Sequence, residues 1–467
     1  MNLYKFKIIL IMLPFFFSSF TLNIYAQFID QFDIGSISAS LNTRGKPQSK
    51  AWYYGGYWWA VIPVSSGTYI YRLDGNTWTQ TFSLTDLTGF EVDTKADGNV
   101  THILLLDGNS TKLASVEYVS SFPPSYQFWT SRTNLVSIPL GSGVETATID
   151  IDGTGKMWLA YNKETASTSF DDIKIMWSDS PYRIWSAPHL LKSNVNSDDL
   201  CAVTAFGGDK IGVLWSNQED KQFQFKYHLD SEVATTWSEM EEIPGPVEDG
   251  SFADDHINLA VSSDGTIYAA IKTSYNTDSE ITIGLLEREN GGTWNVFEVT
   301  KSSGTRPIAL LDNANDDIYV LYTEATNGGN IVYKYASTSN ISFSSLITLK
   351  AGSFNNVTST KQNFTDAVVI LFSADTTWSG VVAGTTLLPV ELAYFAGTLN
   401  GNNIDLRWRT ETEVNNYGFN IERAKENADW LTIGFVEGNG NSNSPRQYSF
   451  TDSDIGLSGN YYYRFSN

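Results

Sequence analysis

A short apolar, aromatic-rich segment recurs seven times along the chain, and this repeat limits the possible folds more than any other feature. The copies are WWAVIP from Trp58, HILLLD from His102, MWLAYN from Met157, IGVLWS from Ile211, IYAAIK from Ile267, IYVLYT from Ile318 and VVILFS from Val368. Their starts are 44, 55, 54, 56, 51 and 50 residues apart. Units of this length cannot bury their own faces and must stack on their neighbours. The period therefore predicts an array of small sheets.

An aromatic residue follows each of the first six segments at the same phase of the repeat. These residues are Trp78, Trp129, Trp185, Trp237, Trp294 and Phe343. Alternating stretches such as Phe223 to Lys226 lie between the two series, and alternation with period two is typical of a strand with one buried face. We expect each repeat to be a four-stranded meander, and the whole to be an all-β, seven-bladed β-propeller, with six or eight blades as alternatives. We expect the recurring aromatic side chains to pack between blades. The alternative, that they form a platform on which sugars stack, is less favoured.

The last repeat is too short to supply all its outer strands. After Val368 to Ser373 only a brief stretch around Trp378 precedes a Gly-rich segment. The alternating segment Phe28 to Leu41, which belongs to no repeat, can supply the missing strand. We therefore expect the two ends of the propeller to be hydrogen-bonded, which leaves no open edge.

The first residues are typical of a signal for export. Lys5 and Lys7 precede an apolar run from Ile8 to Phe20, and Ala26 stands at the expected cleavage position. The chain then divides into a signal peptide at 1–26, a propeller at 27–382, a linker at 383–388 and a C-terminal module at 389–467. We expect a secreted or cell-surface protein that has no membrane span and is a monomer.

Charge and cysteine content exclude several functions. The chain carries 30 basic and 52 acidic residues, a net charge of -22. Such an excess of acid argues against nucleic acid or an anionic membrane as the main partner. The single cysteine, Cys201, can form no intramolecular disulfide, and we expect it to be a buried, inert thiol.

The C-terminal module has a different pattern. LPVEL at Leu388 to Leu392 is followed by W-R-T-E-T-E-V-N-N-Y-G-F-N-I-E-R from Trp408 to Arg423 and by a final strand around Tyr461 to Arg464. This order resembles the fibronectin type III-like sandwich that precedes the sorting domain in proteins exported by the type IX secretion system of Bacteroidetes. The resemblance implies a β-sandwich and export by that route. A sorting domain should then follow, and since the sequence ends at Asn467 we expect it to be truncated or to lack that signal.

Residues that begin the innermost strand of each blade should converge on one mouth of the central channel. Polar candidates for ligand binding at these places are Gln48, Lys50, Asp198, Asp199, Arg306, Lys361 and Gln362, and candidates for proton transfer are Asp254, Asp255 and His256. Cations there would suit a carboxylate or sulfate, and a carboxylate-histidine group would suit acid-base chemistry. Exposed loops carry polar residues in any propeller, so the alternative is that these residues share no site.

No cofactor is expected. Asp150 and Asp152 could form a calcium loop, but Asp-Gly pairs recur at the same phase of other repeats, which favours hairpin turns over a metal site. In architecture the propeller resembles the sialidase-like glycan-processing propellers of secreted bacterial proteins, although their Asp-box, S-x-D-x-G-x-x-W, is absent. We expect binding of an extracellular polymer, above all a glycan, or of a surface protein. The alternative is a glycan-active enzyme, a glycoside hydrolase or polysaccharide lyase, that uses the same mouth.

Overall fold

The computed structural model describes residues 27–467 except 46, 121–122, 166–168, 248–249, 276, 278, 386–390, 402, 426–429, 443–444, 454–460 and 467. The predicted signal peptide, 1–26, lies outside the described residues. Within these residues all the regular elements are β-strands apart from one 3-10 turn at Gly108–Ser110. The predicted all-β class is thereby confirmed. Among the described residues no helix is long and apolar enough to cross a membrane.

Strand β1 (Asp30–Ser38) precedes a series of antiparallel sheets whose strands follow one another along the chain. The first sheet has β2 (Ala51–Tyr54), β3 (Tyr57–Val64), β4 (Gly67–Asp74) and β5 (Thr77–Thr85). The second has β6 (Glu91–Asp97), β7 (Val100–Leu106), β8 (Lys112–Val119), β9 (Ser125–Phe128) and β10 (Val136–Ser137). The third has β11 (Ala147–Ile151), β12 (Met157–Glu164), β13 (Phe170–Ser178) and β14 (His189–Asn196). Each of these sheets corresponds to one sequence repeat.

The fourth and fifth sheets have the same meander. The fourth has β15 (Cys201–Phe206), β16 (Lys210–Asn217), β17 (Gln222–Leu229) and β18 (Glu241–Pro244). The fifth has β19 (Ile257–Val261), β20 (Ile267–Lys272), β21 (Ile283–Arg288) and β22 (Trp294–Thr300). In each of the first five sheets the apolar repeat segment is the second strand, next to the strand that begins the sheet. The predicted four-stranded meander is confirmed in the first, third, fourth and fifth sheets, whereas in the second sheet both β9 and β10 pair with β8.

The next sheet has seven strands and joins the two ends of the series. It contains β23 (Thr305–Asp312), β24 (Asp317–Thr323), β25 (Gly329–Ser337), β26 (Ile347–Thr358), β27 (Ala367–Ala374) and β28 (Thr377–Gly384), with β1 at its edge. The first part of β26 pairs with β25, and its last residues pair with β27. Strand β1 pairs with β28 from Asp30 opposite Gly384 to Ser38 opposite Thr377. The predicted pairing of the N-terminal segment with the last repeat is confirmed.

Apolar side chains from neighbouring sheets form the core. Trp59 of the first sheet packs with Val92 and Leu105 of the second, and Trp158 of the third packs with Trp215 of the fourth. All the tryptophans of this group are fully buried, and removing one such side chain typically costs about 3–5 kcal/mol. The recurring aromatics of the sequence repeat are only half-buried, and they pack against the edges of such clusters; they are Trp78, Trp129, Trp185, Trp237, Trp294 and Phe343.

The strand that begins each sheet contacts the corresponding strand of the next sheet. Thr148 in β11 accepts a hydrogen bond from the Val203 amide in β15, and Asn258 in β19 accepts one from the Ala309 amide in β23. At the other end of the series, the amide of Lys50, just before β2, donates to the carbonyl of Ser359, just after β26. These inner strands, β2, β6, β11, β15, β19, β23 and the end of β26, enclose a common central space.

The C-terminal strands form a separate apolar core. They are β29 (Glu391–Asn400), β30 (Asn403–Lys425), β31 (Leu431–Ser442), β32 (Arg446–Asp452) and β33 (Tyr461–Ser466). The first part of β30 pairs with β29 and β32, and its second part pairs with β31 and β33. The buried rings of Trp408 and Phe419, on the two parts of β30, lie 5.3 Å apart. One long strand thus contributes to two packed layers.

Candidate functional site

The inner strands run in the same direction, so their beginnings gather at one end of the central space. Thr148 Oγ1 accepts from the Val203 amide, and two residues further along both strands Asp150 Oδ2 accepts from the Ala205 amide. A cavity of about 460 Å³ lies at the end where the inner strands begin. We call it the mouth cavity; the charged residues that line it are Arg44, Glu91, Asp107, Glu145 and Arg306.

Arg306, which lines the mouth cavity, has a strained backbone conformation. Its backbone has a φ of 54°, the left-handed region that costs a non-glycine residue energy, and it stands in a bulge at the start of β23. Its guanidinium donates to Thr305 Oγ1 at 3.3 Å and to Asn355 Oδ1 at 3.4 Å. No carboxylate among the described residues lies within ion-pair distance of it. Burial lowers the pKa of Arg306, and the charge of Asp254 opposes that shift.

His256 lies beneath the mouth with both ring nitrogens in hydrogen bonds. Nδ1 is 2.8 Å from Asp254 Oδ1 and also contacts Asp255, and Nε2 is 3.2 Å from Thr305 Oγ1. Only 5% of the residue is exposed. Asp254 is itself bound by Lys272. Burial would raise the pKa of Asp254, but His256 and Lys272 outweigh burial and hold it at about 2.

Three carboxylates from consecutive loops meet above His256. Oxygens of Glu145, Asp198 and Asp255 all lie within 4.8 Å of one another. Oxygen ligands of a calcium ion lie 2.3–2.6 Å from the metal, so two of them can be about 5 Å apart. The cluster could hold a divalent cation, and its charges concentrate acid on one side of the mouth cavity.

Lys50 and Gln48 lie deeper, under the floor of the mouth. Lys50 is 2% exposed, and its Nζ donates to the Val92 carbonyl at 2.9 Å and to Gln48 Oε1 at 3.4 Å. Burial lowers the pKa of Lys50 to about 8, although Glu91 and Asp93 partly oppose the shift. Gln48 Nε2 donates to the Ala147 carbonyl at 2.9 Å. Both residues bind other inner strands in this structure.

Lys361, Gln362 and Asp199 lie outside the mouth cavity. Lys361 and Gln362 follow the end of β26 and therefore reach the central space from its opposite end, where Gln362 Oε1 accepts from the Tyr53 amide at 2.7 Å. Asp199 is fully buried and accepts from the amides of Asn196 and Gln218. The structure thus brings together Asp198, Asp254, Asp255, His256 and Arg306. Lys361, Gln362 and Asp199 lie apart from this group.

The aspartates of the alternative calcium loop are bound by protein donors. Asp150 accepts from the Ala205 amide and pairs with Lys95. Asp152 accepts from the amide of Thr154, 2.9 Å away, and from the indole of Trp158, 2.7 Å away. These contacts are those of a hairpin turn and its neighbours.

Arg44, Glu91, Glu145 and Thr305 were missed by the sequence reasoning, which examined only the polar clusters directly before some inner strands. Glu145 stands two residues before β11, as Asp255 stands two residues before β19. Applying that register to every repeat would have found Glu145. Arg44 pairs with Glu91 at 2.5 Å across two sheets, and no sequence signal joins them.

Comparisons with known proteins give likenesses of structure only. No family model matches the chain, and no curated protein matches it in sequence. The polysaccharide lyase Uly1 aligns with a TM-score of 0.47 and 11% identity over 73% of this chain and 90% of that one. A PL25 ulvan lyase aligns with a TM-score of 0.49 and 13% identity over 76% and 97%. PorZ, a surface component of the type IX secretion system of Porphyromonas gingivalis, aligns with a TM-score of 0.42 and 12% identity over 92% and 59%.

Proposed function

We propose that the chain is a seven-bladed propeller followed by a fibronectin type III-like sandwich. Strand β26 serves two units, so the seven-stranded sheet counts as two blades, and β1 completes the second of them. The two layers joined by β30 support the sandwich. We further propose that residues 1–26 direct export and that the protein acts outside the cell, with the type IX route as the path suggested by the C-terminal motif.

We propose that the mouth cavity binds an extracellular glycan whose sugars carry acidic groups. The observation that carries this is Arg306, a half-buried guanidinium that lines the cavity and whose hydrogen bonds to the described part of the chain are long and go to neutral oxygens. A guanidinium in this state gains from a carboxylate or sulfate, which it binds with two parallel hydrogen bonds. The neighbouring carboxylates of Glu91 and Glu145 can accept hydrogen bonds from sugar hydroxyls.

Binding is favoured over catalysis because of the state of His256. A general base must reach the proton that it abstracts, within about 3 Å. Nδ1 donates to Asp254 in either protonation state, and Nε2 is bonded to the Thr305 hydroxyl, from which it accepts in the neutral ring and to which it donates in the charged ring. No ring nitrogen is left for a ligand in this arrangement. Through its hydrogen bond to Thr305, His256 instead holds the start of β23, which carries Arg306.

The experiment is a binding assay on immobilised uronic acid-containing and sulfated polysaccharides with the full chain. Arg306→Gln should weaken binding at least tenfold, and added salt should weaken binding of the unaltered protein. Arg183→Gln removes the same charge from an exposed arginine that does not line the cavity, and it should bind normally. Equal binding by Arg306→Gln and the unaltered protein would exclude this site.

A glycan-active enzyme is the second candidate, and one observation favours it. Asp254, His256 and Thr305 form a hydrogen-bonded chain beside Arg306, and such a chain can move a proton between the carboxylate-histidine pair and the Thr305 hydroxyl, while Arg306 only donates to that hydroxyl. A product assay on every polysaccharide that binds tests it. Turnover that is lost in His256→Ala supports the enzyme, turnover that persists removes this chain from the mechanism, and no turnover on any bound polymer removes the candidate.

A further inference from the structure

A second cavity, of about 440 Å³, lies where the inner strands end. Its wall includes Lys95 near the end of β6, Asp150 near the end of β11 and Val261 at the end of β19. The segment 360–363, which follows β26, forms another part of the wall. The volume is within the range of about 300–1,000 Å³ that small-ligand pockets occupy. We call it the rear cavity, since it lies opposite the mouth cavity.

Lys361 stands at the boundary of this cavity. Its Nζ lies 2.5 Å from Asp93 Oδ2 and donates to the Ile149 carbonyl at 2.7 Å, so the side chain extends from the end of β26 to the second and third sheets. Asn363 reaches the other side, where its Nδ2 donates to the Val261 carbonyl at 2.8 Å. The segment 360–363 is therefore held to opposite walls of the central space.

The charges in the wall of the rear cavity are compensated. Lys95 pairs with Asp150, and Lys361 pairs with Asp93, which is fully buried. A charged ligand therefore meets no uncompensated charge in this wall and gains less here than beside an unpaired ion. The cavity thus has no charge set aside for an ionic ligand.

The hydrogen-bonding groups left over in this wall include three carboxamides. Oδ1 of Asn258 accepts from the Ala309 amide, and its Nδ2 has no partner among the described residues. Oδ1 of Asn363 and Nδ2 of Asn313 are in the same state within the described part of the chain. Donors and acceptors thus both occur here, beside the half-buried side chains of Leu259 and Val261. Sugars need this combination, because their hydroxyls both donate and accept and their C–H faces are apolar.

We propose that the rear cavity is a second binding site, which takes a neutral sugar residue. It differs from the mouth cavity in chemistry, because the mouth offers a guanidinium and carboxylates and the rear offers carboxamides. The site does not depend on what the mouth binds.

The test is ligand-observed NMR and calorimetry on the full chain with D-glucose, D-galactose and D-mannose, and with glucuronate and galacturonate as charged counterparts. Asn313→Trp fills the cavity from an exposed turn, and Asn99→Trp places the same ring in the corresponding turn of the second sheet, outside the cavity. Asn258→Asp keeps the acceptor for the Ala309 amide but replaces the free donor with an anionic oxygen.

At least one neutral hexose should bind, Asn313→Trp should abolish that binding, Asn258→Asp should weaken it about tenfold and Asn99→Trp should leave it unchanged. Any uronate binding should be the same in Asn313→Trp as in the unaltered chain. The proposal is overturned if none of the three hexoses binds, or if hexose binding persists in Asn313→Trp. A loss of uronate binding in Asn313→Trp also overturns it, because the rear cavity would then accept a charged sugar.

Discussion

Nζ of Lys361 lies 2.5 Å from Oδ2 of Asp93, although the two residues are 268 positions apart in the chain. The same carboxylate accepts hydrogen bonds from the amides of Ser49 and Ile149. One side chain of the second sheet thus binds the first sheet, the third sheet and the segment after β26. Since Asp93 is completely buried, the pair fixes the centre of the molecule.

Removing the ammonium of this pair should destabilise the fold strongly. Lys361→Met leaves the Asp93 carboxylate without its counter-charge in a buried place, and such losses cost about 3–5 kcal/mol. Lys350→Met is the matched control, because Lys350 pairs with Asp33 at the same 2.5 Å but on the surface, where a pair contributes about 1 kcal/mol or less. Chemical denaturation of both variants measures the two losses. Similar losses would mean that the buried ion pair contributes no more to the free energy of unfolding than the surface ion pair does.

Lys50 should make stability depend on pH above neutrality. Burial lowers its pKa to about 8 in the folded protein, whereas an unfolded lysine has a pKa near 10.4. Between these values the unfolded chain binds the proton and the folded chain does not, so Lys50 stabilises the fold increasingly as pH rises, by about 3 kcal/mol in all. Lys50→Met should lack that gain. The difference in unfolding free energy between the two proteins, followed from pH 7 to 10.5, checks the sign, and a constant difference contradicts it.

The repeat made most of the fold predictable. Segments such as WWAVIP and MWLAYN are apolar on both faces because both faces of a central strand are covered. Such a continuous apolar run can be recognised in the sequence of every repeat. The pairing of β1 with β28 was predictable for a related reason, since the last repeat lacked a strand.

The site was predictable only in part, because register along an inner strand decides which end a residue occupies. Asp255, His256 and Arg306 come directly before or at the start of such strands and meet at the mouth. Lys361 was assigned to the same end, but β26 ends at Thr358, so the residue follows its strand. The pairing of β26 with β25 and then with β27 involves register shifts that leave no simple pattern of alternation. The sequence therefore did not show that Lys361 follows the inner strand.

Asp254 should stabilise the protein only above strongly acidic pH. Its pKa is held at about 2, below the value of about 3.9 for an unfolded aspartate, so its contribution is complete above pH 4 and is lost as pH falls towards 2. Asp254→Asn should lower the unfolding free energy by about 2–3 kcal/mol at pH 6 and have little effect at pH 2. Asp264→Asn, at an exposed turn, is the control and should change stability less. The unfolding free energies of the unaltered chain and both variants, measured between pH 6 and pH 2, test this prediction. If Asp254→Asn is still less stable than the unaltered chain at pH 2, the ionised carboxylate of Asp254 is not the cause of the loss.

Closing the ring of sheets should depend on β1. Ile34 is 4% exposed and packs with Trp378 and Val382 of β28, so a charge at this position would be buried without a partner. Ile34→Asp should cost about 3–5 kcal/mol and release β1, which leaves β28 as an unpaired edge open to other chains. Gln31→Asp places the same charge on the exposed side of β1 and should be nearly neutral. Thermal unfolding reports the loss of stability, and size-exclusion chromatography reports association through the open edge. If Ile34→Asp elutes at the same volume as Gln31→Asp and is as stable, the last sheet does not need the N-terminal strand, and the contacts of the inner strands alone hold the molecule closed.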